Sequence, residues 1–216
     1  MLSEYIMNQY FDGSRNELKE FIPSNVKTVL EVGCGEGGFR ASFDNEVEYW
    51  GIEPNTIAAN IAKNKLSKVL DGTFDEVENK LTESYFNLIV CNDVIEHMVD
   101  PKIFMQSIKK YMASEASMLI SIPNVRYLTN IYDLLIKKDW QYRDAGILDY
   151  THLRFFTKRS LENFIHGEGY SIRLIEGINQ PDDKAYKKYV FQIASMLLGK
   201  DVKYPQFVLV VQVNKS

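Results

Sequence analysis

Thr28-Val29-Leu30-Glu31-Val32-Gly33-Cys34-Gly35-Glu36-Gly37-Gly38-Phe39-Arg40 is the stretch on which the fold turns. Val29, Leu30 and Val32 form a short apolar run, the pattern of a strand buried on both faces. Gly33, Cys34, Gly35, Glu36, Gly37 and Gly38 then force a tight turn. Glycine admits positive φ and lets a ligand come close to the main chain. Phe39 and Arg40 are expected to open a helix whose N-terminus faces whatever sits above the turn. Strand, glycine turn and helix together make a nucleotide-binding arrangement.

Spacing alone leaves the nucleotide open. Gly33, Gly35 and Gly38 fit G-x-G-x-x-G, the dinucleotide fingerprint. Gly33, Gly35 and Gly37 also fit G-x-G-x-G. Glu31 tips the balance. A carboxylate two residues before the first glycine would repel a pyrophosphate and attract an ammonium or sulfonium charge. Leu30 to Gly37 resembles the first motif of the class I S-adenosylmethionine-dependent methyltransferases. The resemblance implies S-adenosylmethionine as cofactor and methyl transfer as the activity. It places Glu31, Gly33, Cys34, Gly35 and Gly37 at the cofactor.

Downstream residues extend the site. Tyr49 to Ile52 reads as a second strand ending in Glu53-Pro54-Asn55. Glu53 falls 53 − 33 = 20 residues after Gly33, the spacing at which a carboxylate accepts hydrogen bonds from ribose hydroxyls. Lys68 to Leu70 reads as a third strand, followed by Asp71-Gly72-Thr73-Phe74. The family resemblance puts this loop beside the adenine, with Phe74 to stack on it, Thr73 or Asp71 to bond its edge and Gly72 among the cofactor-binding residues; an ordinary turn is the competing reading. Tyr85 to Cys91 is the clearest interior strand, with Phe86, Leu88, Ile89 and Val90 as its apolar residues. Asn92-Asp93-Val94-Ile95-Glu96-His97-Met98-Val99-Asp100-Pro101 after it resembles the corresponding segment of small-molecule methyltransferases. That resemblance assigns Asn92, Asp93 and Val94 to the methionine end of the cofactor.

Strands and helices alternate along most of the chain. The expected fold is α/β, a doubly wound, mostly parallel seven-stranded Rossmann-like sheet with ligands at its carboxyl edge. The 216 residues are expected to form a single domain. Residues 1–25 read as a helical leader with Ile6, Tyr10 and Phe11 on one apolar side. Residues 124–156, inserted after strand 5, read as a cap over the acceptor. Trp140 and Tyr142 there offer flat faces to a sugar ring, or belong to the core. Lys184 to Leu198 has helical spacing of apolar residues at 186, 189, 190, 193 and 197. Core is the preferred reading of that stripe, over a membrane or a second subunit.

Methyl transfer to a hydroxyl needs alignment and removal of a proton. The only histidines are His97, His152 and His166. His166 reads as a surface residue at a helix end. His97 lies just after strand 4. His152 lies in Asp149-Tyr150-Thr151-His152-Leu153-Arg154-Phe155-Phe156-Thr157, which resembles a stretch of methyltransferases of sugar and surface-polysaccharide pathways. His152 and His97 are the candidate catalytic bases, and either can instead be structural. No metal site is expected, because no two histidines have ligand spacing along the chain. Cys34 and Cys91 have no adjacent base and are expected to be reduced thiols.

The net charge of −4 argues against a nucleic-acid partner. No apolar run is long enough for a membrane span, and Met1 to Tyr5 lacks the features of a signal peptide. A cytoplasmic enzyme methylating the oxygen of a sugar or glycan-linked acceptor is the expected function. An N-methyltransferase or a quinol-type O-methyltransferase is the alternative within the class. Outside it stand a nicotinamide-dependent oxidoreductase and a non-catalytic S-adenosylmethionine-binding domain. Oligomeric state is not legible.

Overall fold

The computed structural model describes residues 14–181 and 185–214. The leader residues Ile6, Tyr10 and Phe11 lie outside them. Seven strands form one sheet: β1 Thr28–Val32, β2 Glu48–Glu53, β3 Lys68–Asp71, β4 Phe86–Asn92, β5 Met112–Pro123, β6 Tyr170–Ile178 and β7 Gln206–Val213. Their order is β3-β2-β1-β4-β5-β7-β6. All neighbours are parallel except β7, which runs antiparallel to both β5 and β6. The expected seven-stranded, mostly parallel α/β sheet is what forms. The order reverses between β1 and β4, so the crevice at their carboxyl ends is where such sheets take ligands.

The side-chain period of two explains the two cores. Leu30 and Val32 face one layer, with Trp50, Ile52, Ile89 and Met105. Val29 faces the other, with Tyr49, Leu88, Val90, Leu119 and Leu18. Both layers are apolar, so the central strands read as continuous hydrophobic runs. Burying one side chain such as Ile89 contributes roughly 1.5–3 kcal/mol. Glu31 falls on the second face and is buried there, a placement that becomes important below.

Among the described residues six α-helices join the strands: α1 Thr56–Ala62, α2 Phe74–Val77, α3 Pro101–Ser107, α4 Leu128–Tyr132, α5 Lys158–Gly167 and α6 Ala185–Leu198. Asn55 caps α1 by accepting from the amides of Ile57 and Ala58 at 3.0 and 3.1 Å. Asp100 does the same for α3, with Pro101 in its first turn. The helix expected from Phe39 is only a 3₁₀ turn, Gly38–Ser42. One turn aligns few peptide dipoles, so the macrodipole inferred from sequence is small there.

Residues 124–156 leave the end of β5 and return to α5. A bridge between Asn124 and Phe156 closes the base of this segment. Its outward arm is α4, continued by a π-helical turn at Asp133–Lys137. Its return arm runs along the segment after β4, where the carbonyl of Glu96 accepts from the amides of Leu153 and Arg154 at 2.8 and 3.0 Å. On α6 the expectation of a core stripe fails. Tyr189, Val190, Ile193 and Leu197 are exposed, and Phe191 is the residue that packs inward, stacked on Tyr127. Helical spacing identifies a common face but not what covers it. The side chain of position 186 lies outside the described residues. Among those residues no helix is long and apolar enough to cross a membrane.

Candidate active site

The glycine turn is pinned to β2 by its own backbone. The amides of Gly33 and Cys34 both donate to the carbonyl of Ile52, at 2.8 and 3.0 Å. Gly33 has φ of 72° and lies against Val94; a Cβ there would come within 2.6 Å of a Val94 methyl. The turn and the segment after β4 therefore meet at a point where only glycine fits. Gly33→Ala is expected to cost about 1–3 kcal/mol through left-handed strain and displacement of Val94. Thermal unfolding measures this, and an unchanged Tm would mean that Val94 yields freely.

Glu53, at the end of β2, reaches across to the turn. Its carboxylate accepts from the amide of Gly35 at 2.8 Å and from the amide of Asn55 at 2.9 Å. Burial pushes its carboxyl up, and the two amide bonds oppose that shift. Each carboxylate oxygen keeps a further lone pair for a hydroxyl donor. Pro54 and Asn55 sit beside it, exposed, with the Asn55 side chain spent on capping α1.

Glu31 is not the open charge that its sequence position suggests. It is buried and accepts a hydrogen bond from the hydroxyl of Tyr49 at 2.8 Å. Burial pushes its carboxyl up to about 8. In the free protein it is thus neutral below that pH, and a nearby cation would be needed to charge it. Stability tied to the neutral form is complete below the unfolded pKa of about 4.3 and is lost as pH rises through about 8. The Tm of the ligand-free protein is expected to fall over that window. Glu31→Gln, which cannot ionise, is expected to flatten the fall, and parallel curves for the two proteins would remove Glu31 as its cause.

Gly72 and Thr73 follow β3. Thr73 and Glu76 form a capping box on α2, with the Thr73 amide donating to the Glu76 carboxylate at 2.8 Å. Phe74 does not face this loop. It is buried edge-on against Phe104, ring centres 5.0 Å apart, and cannot present a face to an adenine. Its position as the first residue of α2 turns it into the core. Cys34 and Cys91 are both buried, and burial pushes both thiols up.

The segment after β4 carries the polar side of the site. Both polar atoms of the Asn92 amide are buried beside Glu31, and the contact opposes the burial that raises that carboxyl. Asp93 has φ of 53° and is held on two sides. One oxygen accepts from Ser121 at 3.2 Å and Gln206 at 2.8 Å. The other is ion-paired with Arg15, which also pairs with Glu17. Sequence reading missed Arg15. It lies 78 residues from Asp93, and a lone arginine in a leader gives no signal.

Glu96, His97 and His152 come together at the same end. Glu96 is 1% exposed, its carboxyl has no hydrogen-bond partner beyond its own backbone amide, and Nε2 of His152 lies 4.0 Å from one of its oxygens. Burial, with the charge of Asp93 beside it, holds its carboxyl well above the usual range. The His97 and His152 rings meet edge to face, centres 4.7 Å apart. Nδ1 of His152 donates to the carbonyl of Ile147 at 2.9 Å, and Nδ1 of His97 donates to that of Thr151 at 3.2 Å. A carbonyl can only accept, so each Nδ1 carries the proton and each Nε2 keeps its lone pair. Burial and the neighbouring ring push His97 down, which keeps it neutral. The two histidines lack ligand spacing in sequence, and the return arm of 124–156 supplies it in space. The Asp149 carboxylate accepts from the amide and hydroxyl of Thr151. His166 lies elsewhere, bonded to the carbonyl of Tyr170.

A family model described as a methyltransferase domain matches residues 7–175. The chain belongs to the methyltransferase domain family. Membership implies S-adenosylmethionine as the cofactor, and the free lone pairs of Glu53 fit a polar ligand at this edge. Among curated relatives, the mitochondrial ubiquinone biosynthesis O-methyltransferase of Schizosaccharomyces pombe is 22% identical over 159 residues, 70% of this chain and 58% of that protein. The (S)-tetrahydroprotoberberine N-methyltransferase of Eschscholzia californica is 23% identical over 121 residues, covering 53% and 35%. The chain spans about half the length of the curated relatives it matches. Among solved structures, a methyltransferase of Archaeoglobus fulgidus superposes with TM-score 0.66 at 18% identity, covering 96% of this chain and 98% of that one. A Thermotoga maritima methyltransferase, described as a possible histamine N-methyltransferase, superposes with TM-score 0.65 at 16% identity, covering 99% and 96%. These two superpositions describe the methyltransferase fold.

Proposed function

We propose that this methyltransferase moves the methyl group of S-adenosylmethionine to an oxygen of a small polar acceptor. The observation that carries the reading is the pair of lone-pair-bearing Nε2 atoms of His97 and His152 beside the segment Asn92–Val94. The cofactor supplies a methyl already activated on sulfonium sulfur. The protein's own task is to bind, align and deprotonate. Glu53 would accept from the ribose hydroxyls, with Gly33, Cys34, Gly35 and Gly37 giving the ligand access to the main chain. Gly72 and Thr73 would border the base, and Asn92, Asp93 and Val94 the methionine end. Arg15, joined to Asp93, would meet the carboxylate of that end. His152 and His97 would handle the proton of the acceptor hydroxyl, worth typically ~10²–10⁴-fold in rate.

A sugar hydroxyl, free or on a glycan, is our first acceptor class. The polar and aromatic surface of residues 124–156, with Tyr142 and Tyr150 stacked at 6.1 Å, supports a cap that recognises it. A phenolic or quinol-type acceptor is the second class, favoured by the names of the ubiquinone-pathway relatives. A soluble cytoplasmic enzyme built as one domain belongs to the same proposal. Mass spectrometry of products formed from isotopically labelled methyl donor tests it, with sugars, nucleotide sugars, phenols and amines offered in parallel. Label appearing on amine nitrogen alone would end the O-methylation reading.

A further inference from the structure

We propose that Glu96, His97 and His152 hold a divalent transition-metal ion, with a coordination position left open for an oxygen of the acceptor. One ligand atom from each of the three side chains lies within 4.8 Å of the others. The Nε2 of His152 and an oxygen of Glu96 are 4.0 Å apart. Metal bonds of about 2.0–2.2 Å put ligand atoms roughly 3–4 Å from one another. Closing the cluster onto an ion therefore takes small side-chain movements.

The atoms facing this point are poorly satisfied. Nε2 of His97 is buried with no hydrogen-bond partner among the described residues, and the buried Glu96 carboxyl has none beyond its own backbone amide. Leaving such groups unpaired is costly, and one cation satisfies them together. The outer contacts are those of a metal site. Each imidazole is fixed through Nδ1–H on a backbone carbonyl, Thr151 for His97 and Ile147 for His152, which is how ligating histidines are oriented. Two imidazoles and one carboxylate suit zinc, manganese or iron(II) better than magnesium or calcium, which prefer oxygen alone. Asp93 is not a fourth ligand, since its oxygens are taken by Ser121, Gln206 and Arg15. Three protein ligands leave the ion open, as in catalytic rather than structural sites.

The chemistry rests on the proposed function and changes one assignment in it: Nε2 atoms that ligate the ion do not also take the acceptor's proton, and the ion acidifies the hydroxyl in their place. An acceptor hydroxyl bound in the open position loses its proton to solvent more readily, because the cation stabilises the oxygen anion. The oxygen lone pair then forms the C–O bond to the methyl carbon as the C–S bond breaks. The bonding electrons remain on sulfur, which becomes a neutral thioether. One proton is released per methyl transferred. An acceptor with two adjacent hydroxyls would bind such an ion with both oxygens, a feature shared by sugars and catechols.

Zinc titration of the whole chain, labelled with ¹⁵N in the histidine rings, tests the site without any turnover. Only three histidines are present, and His166 serves as the internal reference. The expected result is a shift of the Nε2 signals of His97 and His152, complete at one equivalent, with His166 still. Unmoved rings up to millimolar zinc would mean a water-filled polar pocket and overturn the proposal. Equal shifts of all three would mean non-specific binding and do the same. Glu96→Gln should weaken zinc at least tenfold, with circular dichroism confirming the fold. Calorimetry with S-adenosylhomocysteine reports the methyltransferase reading separately. Zinc binding without S-adenosylhomocysteine binding would sink that reading and leave the metal site standing.

Discussion

His152→Ala is expected to lower kcat by ~10²-fold or more while the affinity for S-adenosylhomocysteine stays within about twofold. The ring sits at the reaction end of the site, not among the groups proposed to hold the cofactor. Its Nε2 faces Glu96 and its Nδ1 donates to Ile147. Removing it deletes one of two basic nitrogens without touching Glu53 or the glycine turn. A purely structural histidine makes a different forecast. An asparagine amide can keep the bond to the Ile147 carbonyl, so His152→Asn would then retain most turnover. We expect it to be as inactive as the alanine variant, because an amide neither accepts the proton nor ligates well. The comparison needs His97→Ala beside it. Loss of turnover in His97→Ala alone, with both variants folded, moves the role to His97. Full activity in both would point to an acceptor that needs no deprotonation, such as an amine, and O-methylation falls.

Glu53→Ala carries the second large effect. A charged acceptor of ligand hydrogen bonds contributes roughly 1.5–3 kcal/mol, so cofactor affinity should fall about tenfold to a hundredfold. The fold adds a second consequence. The same carboxylate ties the amides of Gly35 and Asn55, and both lose their partner in the variant. Stability should fall by about 1–3 kcal/mol as well. Calorimetry at a temperature well below the lowered Tm separates the two effects. Glu53→Gln keeps one acceptor oxygen and should lie between wild type and alanine in both measurements. Wild-type affinity in Glu53→Ala would place the residue outside the binding site altogether.

Much of this was legible in the chain. Val29 to Val32 and Phe86 to Val90 announce buried parallel strands, because a strand covered on both faces has no polar side to show. Gly33 was legible because its positive φ and its contact with Val94 admit no side chain. Glu53 was legible through spacing, since the length of one βαβ half fixes how far along the chain the next strand ends. Three things were not legible. The state of Glu31 depends on Tyr49, a neighbour across the sheet, and on burial that no local pattern records. Phe74 read as a loop aromatic, while one helical turn directs it inward. The meeting of His97 with His152 depends on the path of residues 124–156, which have no strong periodicity. Local reading recovers what each element is, and long-range packing decides which side chains meet.

The contacts that bring Glu96, His97 and His152 together are made by carbonyls of Ile147, Thr151 and Glu96 with ring N–H groups and the amides of Leu153 and Arg154. None of them uses a side chain of residues 147, 151, 153 or 154. Positions 147 and 153, whose side chains make none of these bonds, are therefore free to drift over generations without unfastening the cluster, provided that the backbone keeps its course; Arg154, which also donates to the carbonyl of Val99, is not. On the proposed reading, the surface that would face the acceptor can diversify while the histidine cluster is inherited intact. A lineage could change what it methylates by substituting exposed positions such as Tyr150 and Leu153, and pass on unaltered the means by which it does so.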